Sequence, residues 1–291
     1  MRVSSAAAGE NTYSACDFGS GHPQICITAG IHGDEVSGIY TAQRLIAYLK
    51  THPLLRGSVR VIPIVNQAAY AAQSRRDPAD NEDLNRIFPG DPGGSPSFRL
   101  ARSVYDETED AAMMVDLHCC GGHGLPYVLS VYSESDNTRS LVSSLSLPVA
   151  IHSQGTGGQL FVEAGRRRNQ AACIIELPSA FGRGAINLPL AEQCLDVLLD
   201  LLRSQGMLPG ERQGKSPVLL GKLQDRETPQ QGLWLPKAQK GTWVDRGMAA
   251  GELNGERICF ESEGFLMSLR PAAFLLDDEN WLYTFAPKGL R

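Results

Sequence analysis

The chain has 291 residues, of which 42% are hydrophobic and 20% are charged, and its formal net charge is −5. This composition is typical of a soluble globular protein of one large or two ordinary domains. The acidic balance argues against nucleic acid or an anionic membrane surface as the main partner. The sequence contains no apolar run of the roughly 18 residues that a membrane span requires, and its N-terminus lacks the apolar core of a signal peptide, so we expect a cytoplasmic protein.

The first 206 residues alternate strand patterns with helical patterns. Strands are predicted over residues 25–30, 59–65, 112–117, 127–132 and 172–177, and helices over residues 35–50, 97–110 and 190–206. Ser97 is the predicted N-cap of the second of these helices. Because strands and helices alternate, residues 1–206 are predicted to form an α/β domain with a mostly parallel or mixed sheet.

The character of the sequence changes after residue 206. Short β-type runs are separated by turn signals, and glycine recurs at positions 232, 241, 247, 251, 255 and 264. Runs of this kind predict a small all-β domain, which we place at residues 207–291.

Candidate metal ligands fall where three of the predicted strands end. The stretch ITAGIHGDEVSG, residues 27–38, places His32 and Glu35 between a strand and a helix. His118 ends the strand pattern MVDLH, and Glu176 lies near the end of CIIEL. Because ligand sites in open α/β sheets form just outside the carboxyl ends of strands, we expect these side chains to meet at one edge of the sheet.

Two histidines and one glutamate are a common ligand set of catalytic zinc, which keeps a fourth position for water. We therefore predict one Zn²⁺ per chain, bound by His32, Glu35 and His118. Glu176 is then the acid/base that takes a proton from the water and passes it to the leaving group.

Each motif by itself has a simpler interpretation. A histidine and a glutamate three residues apart are usually a solvated surface pair. Glu176 lies in an apolar run, where a glutamate needs a partner, and the arginines at positions 166–168 offer it a structural ion pair. Asp116, two residues before His118, either orients that histidine or accepts a structural hydrogen bond. The prediction of a metal site depends on finding the whole set at three strand ends.

The segment at residues 75–92, RRDPADNEDLNRIFPGDP, is rich in Arg, Asp and Asn for a loop. An arginine fork binds a carboxylate through two parallel hydrogen bonds, and an arginine near a metal stabilises a developing oxyanion. Asn85 adds an amide donor beside Arg86. A solvated loop held by salt bridges is the alternative interpretation of this composition.

Taken in order, these motifs resemble the succinylglutamate desuccinylase/aspartoacylase family of the zinc carboxypeptidase-like superfamily. The matching stretches are GIHGDE, the string R-x-x-P-x-D-x-x-D-L-N-R-x-F-P-G at residues 75–90, DLH and IIELP. The match runs along residues 24–206, and the glycine-rich module that follows resembles the C-terminal domain of the same family.

The resemblance implies a carboxypeptidase-like α/β/α sandwich with a mixed sheet, a small C-terminal all-β domain and one zinc ion. It implies roles for seven side chains: His32, Glu35 and His118 as zinc ligands, Glu176 as the catalytic glutamate, Arg75 as the group that polarises the scissile carbonyl, and Asn85 with Arg86 as the grip on a substrate carboxylate. The implied reaction is hydrolysis of the amide bond of a small N-acylated amino acid or a related carboxylate-bearing amide.

Two other functions stay open at this point: a metallocarboxypeptidase that acts on peptides, and a non-catalytic zinc- or ligand-binding protein on the same scaffold. The carboxylate grip suits a peptide C-terminus as well, whereas a binding protein is expected to lack a ligand or the acid/base. The sequence leaves open the acyl group, the amine half, whether the chain forms a homo-oligomer, and whether the C-terminal domain gates the cleft.

The run HCCGGHG, residues 118–124, is not explained by the family pattern. Cys119 and Cys120 are interpreted as small packing residues, with a site wall or a redox-sensitive pair as alternatives. His123 is interpreted as a solvated loop residue, with a spare polar contact or an adventitious metal ligand as the alternatives. The seven cysteines show no regular spacing, so we predict no disulfide framework.

Overall fold

The structure, a computed structural model, describes residues 1–8, 11–22, 24–180, 184–276 and 280–288. Nine strands form its main sheet: β1 (Arg2–Ala8), β2 (Asn11–Gly19), β3 (Gln24–Ala29), β4 (Ser58–Ile62), β5 (Met113–Cys120), β6 (Tyr127–Ser130), β7 (Val149–His152), β8 (Ala171–Pro178) and β9 (Val218–Leu220). The helices are α1 (Val36–Thr51), α2 (Gln67–Ala72), a 3-10 turn (Leu84–Arg86), α3 (Pro96–Glu107), α4 (Asp136–Ser144), α5 (Leu160–Arg168) and α6 (Leu188–Ser204).

The main sheet is mixed, with strand order β1-β2-β4-β3-β5-β8-β6-β7-β9. Its centre is parallel, since β3 pairs in parallel with β4 and β5, and β5 pairs in parallel with β8. Helices α1, α4 and α6 pack on one face, and α3 and α5 pack on the other. Because both faces are covered, the central strands are apolar on both sides. The predicted α/β/α sandwich with a mixed sheet is confirmed.

The C-terminal part contains two antiparallel four-stranded sheets around a separate core that includes Trp234, Phe260 and Tyr283. Their strands are β10 (Gln224–Glu227), β11 (Gly232–Pro236), β12 (Trp243–Val244), β13 (Ala249–Leu253), β14 (Glu256–Cys259), β15 (Gly264–Leu269), β16 (Ala273–Leu275) and β17 (Trp281–Ala286). The all-β character predicted for this part is confirmed. The boundary at residues 206 and 207 stays a prediction, because β9 lies beyond it and still joins the main sheet beside β7.

Several predicted bounds differ from the structure for local reasons. The strand predicted over residues 59–65 ends at Ile62, because Pro63 has no N–H to continue the ladder. Ser97 is not the N-cap of α3, which begins at Pro96; its backbone N–H and its hydroxyl both donate to Asp80. In the part of the chain that the structure describes, no helix is long and apolar enough to cross a membrane.

Gly33 allows the loop between β3 and α1 to lie directly on α2. A Cβ at this position would come within 2.0 Å of the backbone carbon of Ala69 and 2.1 Å of the backbone nitrogen of Tyr70. The N–H of Gly33 donates to the carbonyl oxygen of Ser74 at 2.9 Å. The loop that carries His32 is therefore held against the helix by backbone contacts that leave no room for a side chain.

We expect Gly33→Ala to lower the free energy of unfolding by about 1–3 kcal/mol, because the added methyl group must displace backbone atoms. Gly121→Ala is the matched control, since its new Cβ would meet nothing within 4 Å. Urea unfolding followed by circular dichroism measures both variants. Equal stabilities for the two variants would contradict the close packing at Gly33.

Candidate metal centre

His32, Glu35 and His118 form one buried cluster at the carboxyl ends of β3 and β5. The ligand atoms that they offer all lie within 4.8 Å of one another. Glu35 bridges the two imidazoles: its Oε1 is 2.7 Å from Nδ1 of His32, and its Oε2 is 2.9 Å from Nδ1 of His118. The two Nδ1 atoms are 3.2 Å apart. The structure thus brings together three side chains that come from two separate parts of the sequence.

The far side of each imidazole is held by a carboxylate. Nε2 of His32 donates to Oδ1 of Asp83 at 3.0 Å, and Nε2 of His118 donates to Oδ2 of Asp116 at 2.7 Å. The hydroxyl of Thr28 donates to the other oxygen of Asp116 at 2.7 Å. A proton on Nε2 leaves the lone pair of Nδ1 directed into the cluster, which is the tautomer that a metal ligand requires.

The charges of the cluster favour a cation at its centre. Burial by itself would lower the pKa of His118, but Asp116 and Glu35 raise that pKa well above its ordinary value. Burial would likewise raise the pKa of Glu35, but His118 and His32 hold it well below its ordinary value. The buried carboxylates therefore stabilise positive charge at the centre of the cluster. A metal cation would meet the same demand and would release the protons from the imidazoles.

The geometry of the donors fits zinc. Two histidine nitrogens, each about 2.0–2.1 Å from one tetrahedral Zn²⁺, lie about 3.3 Å from each other. The corresponding separation between the Nδ1 atoms of His32 and His118 is 3.2 Å. Imidazole nitrogen and carboxylate oxygen are also the ligand types that catalytic zinc uses. These residues therefore fit a zinc ion in both spacing and chemistry.

Glu176 lies next to this cluster, on the strand beside β5. It is in register with His118 across the parallel β5–β8 pair. Its Oε2 is buried and has no hydrogen-bond partner. Burial raises the pKa of this carboxyl to about 7, against the attraction of His118. A carboxyl with such a pKa and a free oxygen can both accept and donate a proton near neutral pH.

The arginines at positions 166–168 belong to the last turn of α5 and have carboxylate partners of their own. Arg166 pairs with Glu134, Arg167 with Glu163, and Arg168 with Asp106. The structural ion pair considered for Glu176 is therefore not the arrangement that the structure shows.

Arg75 reaches the cluster from the segment at residues 75–92. Its Nε donates to Oδ2 of Asp83 at 3.1 Å, and its Nη1 lies 3.3 Å from Nδ1 of His32 and 3.5 Å from Oε1 of Glu35. The side chain is 44% exposed, so the guanidinium lies between the buried ligands and the solvent. A substrate carbonyl that approached the cluster would therefore meet this group.

Asn85 and Arg86 lie close together but in different environments. Asn85 is buried: its Oδ1 accepts from the N–H of Leu160 at 3.0 Å, and its Nδ2 is 3.5 Å from Nε2 of His118. Arg86 is exposed, and its Nη1 donates to the carbonyl oxygen of Asn85 at 2.8 Å. The amide N–H₂ of Asn85 and the guanidinium of Arg86 are both hydrogen-bond donors, which is the chemistry that binding a carboxylate requires. That these two side chains bind a substrate carboxylate stays a prediction.

Two contacts of the site were not predicted from the sequence. Asp83, the acceptor for both His32 and Arg75, stands inside the D-L-N-R string, which is the signal that points to it. The N–H of Cys119 donates to Oε2 of Glu35 at 2.9 Å, a backbone contact that residue type does not reveal. Asp116 does lie on the same side as His118, as its spacing predicts.

A model of the succinylglutamate desuccinylase/aspartoacylase catalytic domain matches residues 21–204. The chain belongs to the succinylglutamate desuccinylase/aspartoacylase family. The N-α-acetyl-L-2,4-diaminobutyric acid deacetylase of Halomonas elongata is 30% identical over 202 residues, which are 66% of this chain and 57% of that relative. The matched region thus spans little more than half the length of the relative. Family membership confirms the resemblance that the motifs indicate.

Solved structures of the family share the fold of almost the whole chain. An aspartoacylase family protein from Mesorhizobium loti has a TM-score of 0.73 at 22% identity and covers 96% of this chain and 90% of its own. The product-bound ectoine utilization protein EutE (DoeB) from Ruegeria pomeroyi has a TM-score of 0.74 at 19% identity, with 95% and 89% covered. At these identities the likeness supports the fold, including the C-terminal β-sheets.

We expect Asp116→Asn to weaken zinc binding by about 10–100-fold, because His118 would lose the charged acceptor that fixes its tautomer and orientation. Competition with a chelating dye measures the affinity. Asp245→Asn, at an exposed position of the C-terminal part, is the control and should bind zinc like the unchanged protein. An unchanged affinity in Asp116→Asn would show that this carboxylate does not support the metal.

Proposed function

We propose that the chain is a zinc-dependent deacylase that hydrolyses the amide bond of a small N-acylated amino acid or a related carboxylate-bearing amide. Membership of a deacylase family supports the reaction class. The name of the Halomonas elongata relative, a deacetylase of an N-acetylated diamino acid, supports the substrate class. The observation that carries the proposal is the buried His32–Glu35–His118 cluster with a free oxygen of Glu176 beside it.

His32, Glu35 and His118 would hold one zinc ion through the two Nδ1 atoms and the bridging carboxylate. When bound, zinc polarises a carbonyl and lowers the pKa of a water molecule towards neutrality. Asp83 and Asp116 keep the imidazoles in the metal-binding tautomer. The ligands are buried, so few competing water molecules reach them.

Glu176 would move the proton of the reaction. Its unpartnered Oε2 accepts a proton from the attacking water and then donates it to the nitrogen of the departing amine. One C–O bond forms and the amide C–N bond breaks, so that water and the amide become a carboxylic acid and an amine. A pKa of about 7 suits both transfers, since neither direction is strongly uphill near neutral pH.

Arg75 would donate hydrogen bonds to the carbonyl oxygen as negative charge develops on it, while Asp83 fixes the guanidinium through its Nε. Asn85 and Arg86 would hold the carboxylate of the amine half through their N–H groups. Both come from the segment at residues 75–92, with Asn85 buried beside His118 and Arg86 exposed.

We expect Glu176→Gln to bind zinc normally and to lose all but about 1% or less of the turnover, because an amide cannot relay the proton. Hydrolysis is measured with the zinc-loaded variant on acetyl-, succinyl- and other acyl-amino acids. Glu192→Gln, an exposed position on α6, is the matched control and should keep normal activity. A near-normal rate in Glu176→Gln would contradict the assignment of the base.

We expect His32→Ala to lower the zinc content of the purified protein well below one ion per chain, because two of three ligands bind zinc weakly. His52→Ala, an exposed position at the end of α1, is the control and should retain the metal. Elemental analysis of both variants measures the content.

Release of C-terminal residues from peptides, with no cleavage of acyl-amino acids, would favour the carboxypeptidase alternative.

A further inference from the structure

A cavity of about 350 Å³ lies where the C-terminal sheets meet the main sheet. Its volume is in the range of small-molecule sites, about 300–1,000 Å³. Tyr127, one of its walls, is in register with Glu176 across the antiparallel β6–β8 pair. Cys120, another wall, lies on β5 and is in register with Pro178, two residues after Glu176 on β8. The cavity, which we call the junction cavity, therefore adjoins the proposed base.

Contacts between residues 1–206 and the C-terminal part of the chain surround the junction cavity. The loop between β5 and β6 forms one wall, and the ammonium of Lys240 donates to the carbonyl oxygens of His123 and Gly124 in this loop at 3.1 and 3.0 Å. The ring of His123 stacks against Trp281, with 6.3 Å between the centroids. Met267 and apolar residues of β7 and β9 form a shared core beside it. The walls of the cavity are thus fixed by hydrogen bonds and apolar packing between the two parts of the chain.

The walls of the junction cavity are mainly apolar. Leu125, Tyr127, Leu223, Met267 and Trp281 line it. An uncharged apolar group placed there would leave water without losing hydrogen bonds.

The one carboxylate on the walls, among the residues that the structure describes, is Asp225, which accepts a hydrogen bond from the hydroxyl of Thr284. No lysine or arginine of the described residues lines the cavity. A ligand carboxylate would therefore meet Asp225 without a lysine or arginine in the walls to pair with, and its burial would be costly.

The segment at residues 75–86, which would hold the amine half of the substrate through Asn85 and Arg86, contributes none of the described walls of this cavity. The two halves of an amide extend in opposite directions from the scissile bond. With the amine half on the Arg86 side, the acyl half points away from it. The junction cavity, whose wall residue Tyr127 is paired with Glu176, is then the space available to the acyl half.

We propose that the junction cavity is the acyl subsite, and that the preferred substrates are amino acids acylated with an uncharged, medium-sized apolar group such as hexanoyl or benzoyl. This assignment rests on the proposed deacylase function. It predicts that such substrates are cleaved better than their acetyl or succinyl counterparts, because an acetyl group leaves the cavity unfilled and a succinyl group brings an unpaired carboxylate into it.

The test compares kcat/KM of the zinc-loaded, full-length protein on acetyl, hexanoyl, benzoyl and succinyl derivatives of the same set of amino acids. We expect the hexanoyl or benzoyl derivative to exceed the acetyl derivative by about tenfold or more, the usual effect of filling a hydrophobic pocket. Ser268→Phe, which fills the cavity, should lower kcat/KM for the hexanoyl or benzoyl derivative by about tenfold or more and so abolish this preference.

Two further variants test the same cavity from a second position and control for the added aromatic ring. Gly124→Leu fills the cavity from its other wall, where a Cβ would meet only ordinary contacts at 3.8 Å or more. Ser262→Phe places the same new ring at an exposed position of the C-terminal part and should change nothing. The fluorescence of Trp281 reports binding directly. Hexanoate should change this fluorescence and succinate should not, and the change should be absent in Trp281→Phe.

The outcomes separate the subsite from the function. Hydrolysis of acyl-amino acids without any preference for an apolar acyl group, and without an effect of Ser268→Phe, overturns the acyl subsite and leaves the deacylase function standing. A preference for a cationic amino-acid side chain that Asp225→Asn removes assigns the cavity to the amine half and also overturns the proposal. Failure to cleave every acyl-amino acid overturns the proposed function, and the subsite with it.

Discussion

The site depends on one interaction, the bridge that the buried carboxylate of Glu35 makes between the imidazoles of His32 and His118. Buried charges are stable only when opposite charges and hydrogen bonds compensate them. Asp83 and Asp116 extend this balance on the far sides of the two rings. The result is an excess of carboxylate around two imidazoles, which is an arrangement that favours a divalent cation at its centre.

The sheet supplies the positions that this interaction needs. Strands β3, β5 and β8 are neighbours and run in parallel, so their carboxyl ends lie at one edge with strands about 4.8 Å apart. His32 and Glu35 follow β3, His118 lies near the end of β5, and Glu176 lies near the end of β8, one strand further along. The proposed proton-transfer group therefore stands next to the three proposed ligands without being one of them. The loop that carries His32 is fixed on α2 by the backbone contact at Gly33.

The C-terminal sheets contribute walls to the junction cavity, to which the segment at residues 75–86 contributes no described residue. They close the junction cavity over the β5–β6 loop, and an apolar cluster of Val149, Ile151, Leu220 and Met267 joins them to the main sheet. The part of the chain with no catalytic side chain in our proposal thus forms walls that would select the substrate. In this proposal Cys120 and His123, which fit no motif, belong to the walls of the acyl subsite.

The sequence by itself determined the fold class, the all-β character of the C-terminal part and the residues of the candidate metal cluster, because apolar periodicity and motif spacing are local properties. It also placed Asp116 on the side of His118, since alternate residues of a strand share a face. Only the tertiary structure decided the partner of His32, the ion pairs of Arg166 with Glu134 and of Arg168 with Asp106, the contact of Ser97 with Asp80 and the junction cavity. Each of these joins segments distant in the chain, and their distances depend on strand order and register, which no local pattern encodes.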